Sequence, residues 1–197
     1  MWDERFSSLE YIYGTEPNDF LVSVASKIPQ GKVLCLADGE GRNGTYLASL
    51  GCKVVAVDGS SVGLAKAQKL AQAKQVEITT IHADLADFVI EPQTWDGIVS
   101  IFCHLPSELR AKVYSQVAQG LKPNGVFILE SFAPEQLQYN TGGPKNIDML
   151  PPLATLQQEL GDLQWEIARD IERELSEGRH HHGSAAVIQI LGKKKEL

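Results

Sequence analysis

A glycine-spaced run, Gly39-Glu40-Gly41-Arg42-Asn43-Gly44, follows directly on the apolar stretch Val33-Leu34-Cys35-Leu36-Ala37. Glycines in that spacing let a chain turn sharply out of a strand and bring its backbone close to a ligand. The helix that follows then aims its free N–H groups at the same place. A second apolar stretch, Val54 to Val57, ends on Asp58. A carboxylate there can accept two hydrogen bonds from the hydroxyls of a ribose. Together these features describe a site for a nucleoside-bearing cofactor. The plainer alternative is a tight strand-to-helix turn followed by an Asp that caps the next helix. Two further groups can take up a proton near neutral pH: His104, and His181 within Glu177-Gly178-Arg179-His180-His181-His182-Gly183.

Elements able to position these residues alternate regularly. Strand-length runs rich in apolar residues at Val33–Ala37, Val54–Val57, Ile78–Ile81, Ile98–Cys103, Val126–Leu129 and Val187–Leu191 read as strands buried on both faces. Helical patterns lie between them. Leu64, Ala67 and Ala71 share a face behind Ser60 or Ser61 as N-cap. Leu109, Val113 and Val117 stack between Pro106 and Gly120. Strand alternating with helix predicts a parallel sheet covered on both sides. Two regions break the rhythm. Residues 1–30 form an N-terminal cover that carries Tyr11 and Tyr13. Residues 133–152, rich in Gly and Pro, form a lid-like loop. A cofactor-binding half (31–132) and a C-terminal, acceptor-side half (153–197) then make up one domain spanning 1–197.

Composition limits what the chain touches. It has 197 residues and a formal net charge of −7, which repels phosphate backbones and anionic lipid heads. No apolar run approaches the roughly 20 residues that span a bilayer. The opening Met1-Trp2-Asp3-Glu4-Arg5 is not a secretory signal, and three cysteines without a CxxC pair suit a reducing compartment, so a cytoplasmic location is expected. No metal site is expected either, because adjacent histidines such as His180 to His182 rarely converge on one ion without an acidic partner.

Val33 to Gly44, VLCLADGEGRNG, resembles the first motif of class I S-adenosylmethionine-dependent methyltransferases, whose usual form is LDLGCGxGR. The interval from Gly39 to Asp58 is similar to theirs and shorter than that of most nicotinamide-dinucleotide oxidoreductases. Ala83-Asp84-Leu85, Trp95-Asp96-Gly97-Ile98-Val99 and Leu121-Lys122-Pro123-Asn124-Gly125-Val126 resemble the family's later motifs. The resemblance implies a three-layer Rossmann-like α/β sandwich on a mostly parallel seven-stranded sheet, its last strand antiparallel. The implied cofactor is S-adenosyl-L-methionine, leaving as S-adenosyl-L-homocysteine. Gly39, Gly41 and Asn43 would pass its methionine part, Asp58 and Gly59 its ribose, and Asp84 and Leu85 its adenine. Phe102 would pack on the adenine or line the methyl path. Cys35 and Ala37-Asp38 depart from the pattern, which moves the acidic group expected at the methionine ammonium to Asp38.

Methyl transfer from a sulfonium mainly requires positioning and exclusion of water. Candidates on the acceptor side are His181, His104 and Tyr13, either histidine as a base. The short length, the Trp2–Phe6 opening and the GEGRNG loop are similar to the tellurite-resistance-type and thiopurine-type branch. That implies a small acceptor: a thiol, a metalloid oxyanion or a metabolite. A protein substrate using the same cofactor is the alternative, a silent cofactor-sensing module another, and an NAD-dependent oxidoreductase a remote one.

Overall fold

The computed structural model describes residues 2–178 and 181–196. Seven strands form one sheet: β1 (Lys32–Leu36), β2 (Lys53–Asp58), β3 (Ile78–His82), β4 (Trp95–Ile101), β5 (Leu121–Phe132), β6 (Leu163–Glu177) and β7 (His181–Lys194). Their order is β3-β2-β1-β4-β5-β7-β6. Pairing is parallel from β3 through β5, whereas β7 runs antiparallel to both β5 and β6. This is the mostly parallel Rossmann-like sheet with an antiparallel last strand that the motifs imply.

Helices cover both faces: α1 (Trp2–Phe6), α2 (Asp19–Val24), α3 (Arg42–Ser49), α4 (Ser61–Ala73), α5 (Ser107–Tyr114), α6 (Val117–Gly120) and α7 (Leu153–Leu160). Alternate residues of the central strands feed two separate cores. Leu34, Leu36, Ile98, Phe127 and Leu129 pack under α5 and α7, and Val33, Cys35, Val99, Val126 and Ile128 pack under α2, α3 and α4. Two-sided burial is why these strands show as unbroken apolar runs.

Ser60 caps α4 by accepting from the Gly63 N–H at 3.0 Å. The stack Leu109-Val113-Val117 spans two helices, since α5 ends at Tyr114 and α6 starts at Val117. The sixth strand is absent from the apolar runs because β6 is an edge strand. Its burial alternates over much of its length, with Glu166, Asp170, Glu172 and Glu174 exposed. The three cysteines are buried and unbridged. Among the described residues no helix is long and apolar enough to cross a membrane.

Candidate active site

Loops after β1, β2, β3 and β4 converge at the carboxyl edge of the sheet. The glycine loop turns there with Gly39 at φ +56° and Gly41 at φ +84°, after Ala37 at φ +51°. Each glycine of the GxGxxG run also has a packing reason that the sequence did not reveal. A Cβ on Gly39 would lie 3.2 Å from the Phe6 ring, on Gly41 2.5 Å from Ala67 of α4, and on Gly44 2.5 Å from the Asp38 carboxylate. The close approach is therefore made to α1 and α4 as well as toward the cofactor side.

Asp58 closes β2 with its carboxylate held by two backbone donors, the Gly39 N–H (2.9 Å) and the Ser60 N–H (2.8 Å). Burial raises its pKa, only partly opposed by those donors. Each carboxylate oxygen retains a second lone pair, enough for a vicinal diol. Beside it, a Cβ on Gly59 would meet only the Ala83 carbonyl, at 3.9 Å. Past β3, Asp84 is exposed and accepts from the Ala86 N–H at 2.8 Å, while Leu85 is buried. An engaged ribose-type carboxylate, open ground over Gly59 and an exposed Asp84 fit an adenosine moiety laid across the strand ends.

The other expected cofactor residues each have local partners. Asp38 turns its carboxylate onto the Gly44 N–H (3.2 and 3.3 Å) at the start of α3, and burial is the main cause that raises its pKa to about 7. Asn43 accepts from the Asn18 N–H at 2.9 Å and so ties α3 to the turn before α2. Phe102, at φ +51°, packs its ring against Phe132 (4.7 Å), His181 (4.6 Å) and His104 (6.1 Å). The neighbouring Cys103 is buried in the core, and its thiol pKa is pushed up to about 12 by burial, which leaves it inert as a nucleophile.

All three acceptor-side candidates meet in one aromatic box. Tyr13, from the N-terminal cover, lies 4.7 Å from the His181 ring, and its hydroxyl accepts from Arg5 at 3.2 Å. His181 also meets Phe132 edge-on at 5.2 Å, and His104 stacks on Phe132 at 5.3 Å. Burial, and then the neighbouring His181, push the His104 pKa down to about 3. His104 is thus neutral at physiological pH and too weak a base to be half-protonated there. His181 differs: its Nδ1 lies 3.6 Å from Glu177 Oε2. The segment 133–152 borders this box. It is fastened by Gln136, which accepts from the Ala186 N–H and donates to Thr141 and Gly142. Among the described residues no cluster suited to a metal ion occurs; His180 lies outside them.

Sequence reasoning missed a buried polar network next to the box. Glu130 of β5 receives two bonds from Arg173 (2.8 and 2.6 Å) and one from Gln189 (2.7 Å). Asn18 donates its amide to both Glu130 (2.5 Å) and Glu177 (2.8 Å), and Arg42 donates to Glu177 at 2.7 Å.

Residues 33–125 match the family described as "Methyltransferase domain". The fold is the one seen in S-adenosylmethionine-dependent methyltransferases of known structure. It is 28% identical over 128 residues to the uncharacterized methyltransferase YbaJ of Bacillus subtilis, a match over 64% of this chain and 47% of that protein. The chain thus matches less than half of that relative's length. Among solved structures, TehB from Haemophilus influenzae superposes with a TM-score of 0.73 at 19% identity, covering 98% of this chain and 66% of that one. The magnesium protoporphyrin IX methyltransferase ChlM from Synechocystis, which holds bound S-adenosylhomocysteine, gives 0.65 at 19% identity over 88% and 78%.

Proposed function

We propose that the chain transfers a methyl group from S-adenosyl-L-methionine to a small-molecule acceptor that carries a protic heteroatom, such as a thiol. The observation that carries this reading is one aromatic box, Tyr13, Phe102, Phe132 and His181, built at the ends of β4 and β5 and the start of β7, on the same edge of the sheet as Asp58 and the glycine turn. Bound cofactor supplies a sulfonium methyl carbon open to displacement. The chain's own residues do the rest. Asp58 orients the ribose and Asp84 with Leu85 the adenine edge. The aromatic walls exclude water from the methyl path, and His181 accepts the proton that the acceptor gives up.

The enclosure of the box supports a small acceptor. Phe132 and His181 are buried, Phe102 is half-buried, and the N-terminal cover lies across the box through Tyr13. A folded protein's side chain would have to displace that cover, whereas a small molecule needs only a gap in it. Calorimetric titration with S-adenosylhomocysteine, followed by a turnover screen of small thiols and oxyanions with radiolabelled cofactor, tests the reading. Binding with turnover on a small acceptor is expected. Absence of S-adenosylhomocysteine binding, or label transferred only to proteins, would overturn it.

A further inference from the structure

The tip of the β6–β7 hairpin brings two chain segments together on one carboxylate. Glu177, the last residue of β6, sits across from His181, the first residue of β7, in the strand register. Its Oε2 faces both His181 Nδ1 at 3.6 Å and the Arg42 guanidinium at 2.7 Å. Its Oε1 accepts from Asn18 (2.8 Å) and Arg173 (3.2 Å). Arg42 is the first residue of α3, directly after the glycine turn. The carboxylate therefore touches the element that shapes the cofactor loop and the ring that lines the acceptor box.

We propose that Glu177 is the positioning residue for His181, fixing a proton on Nδ1 so that the second ring nitrogen accepts the acceptor's proton, and that Arg42 sets the strength of this pair from the cofactor side. This rests on the methyl-transfer reading above. The step balances as follows. The electron pair of the acceptor's X–H bond stays on X and forms the X–C bond to the methyl carbon. The C–S pair returns to sulfur, and the proton passes to His181. A carboxylate on the far nitrogen stabilises the imidazolium that results.

The electrostatics favour this division of labour. Burial would raise the Glu177 carboxyl, yet His181, Arg42 and Arg173 outweigh it and hold the pKa at about 2, so the carboxylate is charged whenever the protein works. The groups facing His181 and its partner are Glu177 and Arg173 from β6, Arg42 from α3, Glu130 from β5, the neutral His104 after β4 and the Tyr13 ring from the N-terminal cover. Glu130 and Arg173 neutralise one another. Arg173 also reaches Glu177 Oε1, which leaves Oε2 for Arg42 and His181 to share. Removing Arg42 should leave more of the carboxylate for the imidazolium, and removing the carboxylate should leave less.

The test is nitrogen-detected NMR of the histidine rings in the full chain across a pH titration, with His181→Gln for assignment. In wild type the His181 ring is expected as the Nδ1–H tautomer. In Glu177→Gln its titration midpoint moves to lower pH and that tautomer preference is lost. In Arg42→Gln the midpoint moves the opposite way, to higher pH. Glu177→Asp, which keeps the charge but shortens the arm, is expected to shift it in the Gln direction by less. Opposite signs from two neighbouring substitutions are not produced by general loosening of the fold. Coincident midpoints in wild type and all variants, or a wild-type ring protonated only on Nε2, would overturn the pair. S-adenosylhomocysteine binding, measured alongside, decides separately whether the methyltransferase reading stands.

Discussion

Lys66 of α4 and Glu40 of the glycine loop form a buried ion pair that also fastens the N-terminal cover. The Lys66 ammonium donates to the carbonyls of Ser8 (2.9 Å) and Glu10 (2.7 Å) and lies over the Tyr11 ring, while Glu40 accepts from the Ile12 N–H at 2.8 Å. Residues 8–12 thus hang on two side chains from two different cofactor-side elements. Replacing one member, Lys66→Met, strands the Glu40 charge in a buried place, at a cost of about 3–5 kcal/mol. Urea unfolding checks the loss. A change within about 0.5 kcal/mol would show the pair to be dispensable.

Asp58 is the residue on which cofactor affinity should turn. Its two ribose bonds would be charge-assisted, at about 1.5–3 kcal/mol each. Asp58→Ala should therefore weaken S-adenosylhomocysteine binding by at least about tenfold. Asp84→Ala should cost less, because that side chain is exposed. Calorimetry on both variants checks the order; equal affinities for wild type and Asp58→Ala would remove Asp58 from the site.

Much of the fold was legible because its signals are local. Central strands show as apolar runs because both their faces are buried, the edge strand β3 shows through Ile78 and Ile81, and Ser60 shows as a cap through its spacing to α4. The Asn18–Glu177 and Asn18–Glu130 bonds join residues 159 and 112 apart in the chain, which no local pattern encodes. The local partner of Asp38 was not legible for a related reason. Its type and place at a strand end suit an ammonium, but whether the carboxylate turns to the ligand or to the Gly44 N–H depends on α3 being there to receive it. His181 and Tyr13 were found as separate candidates. Only the hairpin and the N-terminal cover, folding onto one another, make them neighbours.

Two carboxyls should give opposite pH dependences. Glu177 is held at about 2, below its ordinary 4.5, so its contribution is fully present above that value and is lost as pH falls through the window between them. At most about 1.4 kcal/mol per unit is involved. Asp38 is raised from 3.8 to about 7, so the folded chain keeps a proton that the unfolded chain has released. Stability therefore falls as pH rises across that interval. Urea midpoints at about pH 3, 5 and 8 in wild type, Glu177→Gln and Asp38→Asn should show the acid loss flattened in the first variant and the rise toward pH 5 flattened in the second. Unchanged slopes in both would refute the assignments.

Gly178 makes room for the cover at the hairpin turn. At φ +64°, a Cβ there would fall 2.3 Å from the Ile12 carbonyl and 2.6 Å from Tyr13 Cα. Gly178→Ala should cost about 1–3 kcal/mol in backbone strain and push Tyr13 away from His181. Tyrosine fluorescence and urea unfolding would register both; a variant as stable as wild type would show that the turn relaxes freely.

The edge formed by β6 carries a consequence for assembly. An exposed strand fifteen residues long is an open template for a neighbour's backbone. Here the carboxylates Glu166, Asp170, Glu172 and Glu174 are exposed along it, so a second copy pairing antiparallel about Asp170 would set like charges against one another. The charged edge that hid this strand from a hydrophobic reading therefore also works against edge-to-edge pairing of two copies.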